Sequence, residues 1–299
     1  MPMSAEHSGS SAAGRNKGKL KLVFALTATY MLAEVAGGVL TKSLALLADA
    51  GHMLTDVAGL GLALLAIRFA ERPASPGRTY GYYRAEILAA LSNAIVLIGI
   101  SLYILYEAYQ RFKNPPAVAS GAMLIVAGIG LVVNIAGILI LRGGASESLN
   151  VKGAYFEVLS DMLTSIGVMI AGVIMLTTGW YYADPLISAG IGLFILPRTW
   201  RLLREAVGVL LEGTPSDVDL AGVRETLASA PGVLGVHDLH VWSLTSSHNA
   251  LSVHVIAAEG AAYADVLTAI QERATGQLGM KHVTVQIEPP GWERSETHL

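Results

Sequence analysis

Asp49, His52 and Asp56 are three ionisable residues set inside an apolar run that extends from Leu44 to Ile67. A charged side chain at bilayer depth costs at least ~2.5–3.5 kcal/mol even on a lenient insertion scale, so it faces a partner, a cavity or an ion. Their spacing puts them on one stripe of an α-helix, and the i, i+4 pair His52 and Asp56 converges on one small object. An imidazole and a carboxylate suit a divalent metal ion; hydrogen bonding to a neighbouring helix is the competing role. Glu157 and Asp161 repeat the i, i+4 arrangement in a second apolar run. By helical rise, Asp56 lies ~18 Å from Leu44 and Asp161 lies ~13 Å from Lys152. Both pairs thus fall near the midplane of a hydrocarbon layer about 30 Å thick. Four ligands from two helices would form one tetrahedral shell, and two unrelated polar pairs are the alternative.

The elements that must position these residues are long. Six apolar runs can span a bilayer: Leu20–Leu40, Leu44–Ile67, Ile87–Tyr109, Val118–Leu141, Ala154–Leu176 and Pro185–Arg204. Turn and charge signals separate them at Thr41–Ser43, Arg72–Arg78, Asn114–Pro116, Arg142–Gly144, Thr177–Gly179 and Asp184–Pro185. The first and fifth connections are short, which predicts antiparallel neighbours on either side of each. Lys and Arg give the orientation. The segments that lie inside if the N-terminus is inside carry 13 of them, from Arg15 to Arg204, against Lys42, Arg111 and Lys113 opposite, so both termini are expected in the cytoplasm.

Composition agrees with a membrane protein: of 299 residues 53% are hydrophobic and only 14% charged, with a positive mean hydropathy. Zero cysteines exclude disulfides, thiolate metal sites and cysteine nucleophiles. No basic array with interleaved aromatics is present, so a nucleic-acid partner is not expected. Residues 1–19 read as a disordered cytoplasmic arm; the apolar run after them is too long for a signal peptide and lacks its cleavage site. Inside the spans stand Glu34, Asp49, Asp56, Glu107, Glu157 and Asp161 with His52, and no Lys or Arg lies well within them. Such an interior favours a cationic passenger. Glu34 and Glu107 are isolated, and Glu107, near a helix end, reads as interfacial or structural.

After Arg204 the composition changes. Glu212–Pro215 reads as a hinge, followed by a helix over Asp217–Ala230, strands over Val233–Trp242 and Ala250–Ala257, a helix over Ala262–Gly276 and a strand over His282–Glu288. Thr214–Asp217 is the helix-start signal and Ser246–Asn249 the hairpin turn. The domain organisation expected is therefore an arm (1–19), a six-helix transmembrane domain (20–208), a small cytoplasmic α+β domain (209–290) and a tail (291–299). The small domain is near the minimum size that folds, so pairing with a second copy would help it. It and the tail carry six of the eight histidines: His237, His240, His248, His254, His282 and His298.

Four motifs carry a resemblance. Ser43–Asp56 with its Asp49, His52 and Asp56, Thr79-Tyr-Gly-Tyr-Tyr-Arg84-Ala-Glu86, Asn150-Val-Lys-Gly-Ala and His237-Asp-Leu-His240-Val-Trp242 resemble the cation diffusion facilitator family in its zinc/cobalt/cadmium efflux branch, over about Lys19 to Pro290. The resemblance implies a membrane α-helical fold of six transmembrane helices followed by a cytoplasmic ferredoxin-like domain. It further implies a homodimer in the bacterial inner membrane that exchanges a divalent metal ion for protons, with no prosthetic group. The implied transport site is His52 and Asp56 with Glu157 and Asp161, and Asp49 stands one turn before His52 as a supporting residue. Most members of this branch would have His where this chain has Glu157. A shell of one imidazole and three carboxylates is harder, so Mn²⁺, Fe²⁺, Co²⁺ or Cd²⁺ are expected beside Zn²⁺. Some members place metal-binding His in the loop after the second helix; Tyr82 and Tyr83 stand here, so no loop site is expected. In the cytoplasmic domain the resemblance points to His237, His254 and Glu288 as metal ligands, with His240 and His282 as further candidates. An intramembrane metalloenzyme would need a motif such as His-Glu-x-x-His, which is missing. A passive channel prefers weak serial sites over four convergent ligands.

Overall fold

The computed structural model describes residues 12–70, 75–143, 149–245 and 248–292, without the side chains at 12–17, 20, 56, 59–70 and 149–153. Part of the loop signal at Arg72–Arg78, Gly144, the hairpin residues Ser246 and Ser247, His298 and the side chain of Asp56 lie outside the described set. Six long helices come first: α1 Ala12–Thr41, α2 Leu44–Ala70, α3 Arg84–Lys113, α4 Ser120–Leu141, α5 Leu149–Thr178 and α6 Ala183–Leu210. Each falls on one of the apolar runs, α4 starting two residues inside its run. Five are long and apolar enough to cross a membrane, and α2 is apolar over its described part, Leu44–Thr55. Helix α1 starts at Ala12, inside the stretch read as an arm.

The chain divides into two compact units, Met1–Gly61 with Asn93–Arg201, and Leu62–Ser92 with Leu202–Leu299. In the first, buried residues recur along α4 as Ser120, Met123, Ala127, Gly130, Asn134, Gly137 and Leu141, a stripe at helical spacing, while Ile125, Ile129, Val132 and Leu139 are exposed. Exposed aliphatics on that scale would be a liability in water and are the expected surface in lipid. The tight helix pairs are α4 with α5 and α1 with α4. They are not the pairs joined by the short connections, because lipid gives helices little hydrophobic reason to associate and close packing goes where small residues let backbones approach. Gly130 is the clearest case: a Cβ there would overlap the ring of Tyr30.

A second tie holds the turn between α1 and α2. Asp184, fully buried at the start of α6, accepts hydrogen bonds from Ser43 Oγ (2.7 Å), Leu44 N (2.9 Å) and Ala45 N (3.1 Å). It thereby caps the N-terminus of α2 from another helix. Arg111 joins it, donating from Nη1 to Asp184 Oδ2 (3.3 Å) and to the Lys42 carbonyl (2.6 Å) while its Nε meets Glu107 (3.0 Å). Glu107 is structural, as its position near a helix end suggested.

In the second unit, α7 Leu220–Ala228, β1 Val233–Thr245, β2 His248–Ala257, α8 Tyr263–Glu272 and β3 His282–Glu288 build a small α+β domain, with a π-helical turn Arg273–Gln277 after α8. The sheet order is β1-β2-β3, antiparallel between β1 and β2 and parallel between β2 and β3, so α8 is the crossover. Leu251, Val253 and Val255 meet Val223 and Leu227 of α7 and Val266 and Ile270 of α8 in one core. The first of these helices starts later than Asp217: Asp219 is its N-cap, accepting from Ala221 N. His248 and Asn249 belong to β2 rather than to a turn.

Candidate metal centres

Helices α2 and α5 bring His52 and Asp161 together. The Nε2 of His52 stands 3.5 Å from Oδ1 of Asp161, and both side chains are almost fully buried. That Nε2 makes no hydrogen bond among the described residues. A buried imidazole nitrogen without a hydrogen bond, set that close to a buried carboxylate oxygen, has the composition and spacing of two ligands to one ion. Asp56 stands one helical turn beyond His52 on α2. Glu157 stands one turn before Asp161 on α5, but its carboxylate is turned to Arg198 of α6, with Nη2 at 3.3 Å, and its side chain stays 42% exposed. This arrangement holds Glu157 away from the His52–Asp161 pair, and Arg198 is a cation inside the sixth apolar run that the count of span charges passed over.

Asp49 does not face that pair. It is fully buried and accepts from Thr164 Oγ1 (2.5 Å) and Ser165 Oγ (3.2 Å), both on α5. Thr164 Oγ1 also lies 2.9 Å from the carbonyl of Asp161, so Asp49 supports the segment that carries Asp161. Glu34, which looked isolated in the sequence, is fully buried and accepts from Tyr30 O–H at 2.9 Å. Asn134, Thr164 and Ser165 carry no charge, and so gave no signal in a search for ionisable residues.

In the small domain, strand register builds a second cluster. His237 and His254 are direct partners across β1 and β2, and Glu288 pairs with Ile256, on the strand beyond. His237 Nε2 lies 2.9 Å from Glu288 Oε2 and His254 Nδ1 lies 3.2 Å from Glu288 Oε1, and the ligand atoms of the three all fall within 4.8 Å of one another. Burial acts to raise the Glu288 pKa, but hydrogen bonds from His237 and Gln286 and the charges of both imidazoles outweigh it and hold the carboxyl below its usual value. Asp238, in a left-handed conformation (φ 49°) at the register shift between His237 and His240, places Oδ1 2.9 Å from His240 Nε2 and Oδ2 3.4 Å from His254 Nε2. His240 thus contacts the rim of the cluster through Asp238. His282 does not join it: it starts β3, six residues or about 20 Å from Glu288, and packs edge-on against Tyr80 with ring centroids 5.5 Å apart. Tyr83 stacks on His248 at 5.4 Å, and Arg78 sits over Tyr82. The loop tyrosines are in packing roles.

Comparison with known proteins agrees with this architecture. Residues 20–211 match the model described as the cation efflux transmembrane domain, and residues 215–290 match the cation efflux protein cytoplasmic domain. The metal cation efflux system protein CzcD of Cupriavidus metallidurans is 49% identical over 284 residues, 95% of this chain and 90% of the relative. A cadmium, cobalt and zinc/H⁺-K⁺ antiporter of Bacillus velezensis is 42% identical, covering 98% of this chain and 95% of its own length. The zinc transporter ZitB of Escherichia coli is 40% identical over 95% of this chain and 91% of the relative. A solved structure of the metal-bound C-terminal domain of the CzcD transporter is 38% identical, covering 24% of this chain and 99% of that one, with a TM-score of 0.23. With both domain models matched in order and relatives aligned along nearly their whole length, the chain belongs to the cation efflux, or cation diffusion facilitator, family.

Proposed function

We propose that this chain exports divalent metal ions, Zn²⁺ with Co²⁺ and Cd²⁺ beside it, in exchange for protons, and is not an enzyme. The observation that carries the reading is the buried His52–Asp161 pair, contributed by two different membrane helices and left without a hydrogen bond at the imidazole Nε2. Relatives named as zinc transporters and as cadmium, cobalt and zinc antiporters support it. Asp56 and Glu157, one turn from His52 and Asp161 respectively, are proposed to complete the shell, Glu157 after leaving Arg198. Metal and protons compete for the same lone pairs on imidazole and carboxylate, so loading a metal releases protons and an acidic exterior favours its discharge.

We further propose a six-helix transmembrane domain at residues 20–208 and a dimerisation and metal-binding domain at 209–290, with both termini cytoplasmic and the chain in a bacterial inner membrane. The cytoplasmic domain is proposed to pair two copies, in line with its match to a family model, and to bind a metal ion through His237, His254 and Glu288. Two imidazoles and one carboxylate are a donor set that suits Zn²⁺. Purified protein in vesicles should accumulate Zn²⁺ when a pH gradient is imposed and lose that response when the gradient is collapsed. Flux indifferent to the gradient would instead mark a channel.

A further inference from the structure

The buried carboxyl pair Glu34 and Asp49 takes no part in the metal shell and has its own wall of hydrogen-bonding groups. Glu34, on α1, is fully buried and receives Tyr30 O–H at one oxygen. Its other oxygen, Oε2, is buried with no hydrogen-bond partner among the described residues, although the Asp49 carboxyl lies within hydrogen-bonding reach. Asp49, on α2, has both oxygens engaged by the hydroxyls of Thr164 and Ser165. Ser165 is in turn 3.3 Å from Asn134 Nδ2 of α4, and the Asn134 Oδ1 is also fully buried and unpartnered. Two acceptors facing each other form a hydrogen bond only if one of them is protonated, and two carboxylates in contact in a dry interior cannot both be ionised. Among the described residues, the titratable groups acting on the pair are Tyr30 from the helix of Glu34 and Asp161 from α5; α4 and α5 otherwise present the neutral Asn134, Thr164 and Ser165.

We infer that Glu34 and Asp49 form a second ion site, one that holds a proton shared between two carboxyl groups, separate from the metal shell and coupled to it. The site rests on the proton-exchange reading above and supplies one of the exchanged protons. Coupling has two short routes, one along the helix backbone and one through a hydroxyl. Asp49 is one turn from His52 on α2, and the Thr164 hydroxyl lies between the Asp49 carboxylate (2.5 Å) and the Asp161 carbonyl (2.9 Å). In the metal-free state the O–H of one carboxyl bridges to the other. When a divalent cation enters beside His52 and Asp161, its field favours the dianionic pair, and the proton leaves to bulk water with no bond made or broken other than O–H.

Proton release on Zn²⁺ binding, counted on the full-length protein in weakly buffered detergent near neutral pH, tests the assignment. The substitution Glu34→Gln keeps an acceptor for Tyr30 and removes the shared proton, so it is expected to release about one proton fewer per Zn²⁺ than the parent and to flatten the pH profile of Zn²⁺ uptake. Glu34→Asp, which retains a carboxyl, is expected to restore the count. An unchanged count and pH profile in Glu34→Gln, with the parent still acid-driven, overturns the second site and leaves the exchange reading intact. A parent that releases no protons overturns the exchange reading itself. Should Glu34→Gln fail to insert, the parent and Asp49→Asn decide: a carboxylic-acid infrared band lost from the parent on Zn²⁺ addition and missing from Asp49→Asn is expected, and no such band in the parent overturns the inference.

Discussion

The Nε2 of His52 and the Oδ1 of Asp161 lie 3.5 Å apart across α2 and α5, in a part of the first unit where both side chains are almost fully buried. The N-terminus of α2 is held by Asp184 rather than by this pair, so replacing either residue is expected to spare the fold. His52→Ala and Asp161→Ala are expected to reduce Zn²⁺ uptake into vesicles to the level of protein-free vesicles while insertion and oligomeric state stay as in the parent. Parent-level uptake in either variant would remove the pair from the transport site.

Glu157 is the residue where chain and family pattern part, and its carboxylate is engaged by Arg198 at 3.3 Å. Exposed ion pairs of this kind contribute about 0.2–1 kcal/mol, so breaking one to bind a metal is a small toll. Arg198→Gln should therefore tighten Zn²⁺ binding by roughly 1.5- to 5-fold if Glu157 is a ligand. Glu157→His should move metal choice toward Zn²⁺ and Cd²⁺ and away from Mn²⁺, because imidazole favours the softer ions. Competition binding on the purified protein reads both. Identical preferences in parent and Glu157→His would leave the shell to His52, Asp56 and Asp161.

Hydropathy and charge located the helices because their lengths answer to the bilayer and their breaks to Pro, Gly and basic residues. Five helices cover their apolar runs whole and α4 covers its run but for Val118 and Ala119, and β3 falls on His282–Glu288 as read. The His52–Asp161 contact was legible for a similar reason: helical spacing and depth each reduce to counting residues. Packing partners were not legible, since Tyr30 against Gly130 depends on which helix faces which. Nor was the setting of Glu34, which through Tyr30 and Asp49 joins a network with Thr164, Ser165 and Asn134 drawn from four helices. In the small domain the His237–His254 pairing follows from strand register, which a bulge at Asp238 alters in a way that alternation does not announce. His282 was grouped with the cluster through the resemblance, and strand length places it at the far end.

Glu288 makes the small domain sensitive to pH in a definite direction. Its carboxyl is held below the usual value by His237, Gln286 and the two imidazole charges, against the opposing effect of burial. A depressed carboxyl contributes stability that is present above its unfolded pKa of about 4.3 and is lost as pH falls through the folded value. Glu288→Gln should remove that acid-limb loss in the full-length protein. It should also blunt thermal stabilisation by Zn²⁺, which for a site filled at 100-fold over its Kd is worth about 2.7 kcal/mol. A Zn²⁺ response unchanged in Glu288→Gln would leave the cluster as a structural ion-pair network.

Asp184 offers the sharpest test of what holds the first unit together. Its single carboxylate caps the N-terminus of α2 through Leu44 N and Ala45 N, fixes Ser43 and partners the guanidinium of Arg111. Asp184→Ala leaves two backbone N–H groups and a hydroxyl without their acceptor in a buried turn, a loss of about 1–3 kcal/mol. Asp184→Asn keeps one acceptor oxygen and should lose less. Because the metal pair sits along the same α2, three turns or less from the cap, Asp184→Ala is expected to lower the melting temperature in detergent and to weaken Zn²⁺ binding in parallel. Arg111→Ala leaves the cap hydrogen bonds in place, so it should fall between the parent and Asp184→Ala on both measures; a melting temperature for Asp184→Ala equal to that of the parent would show that the α2 cap is not what positions His52.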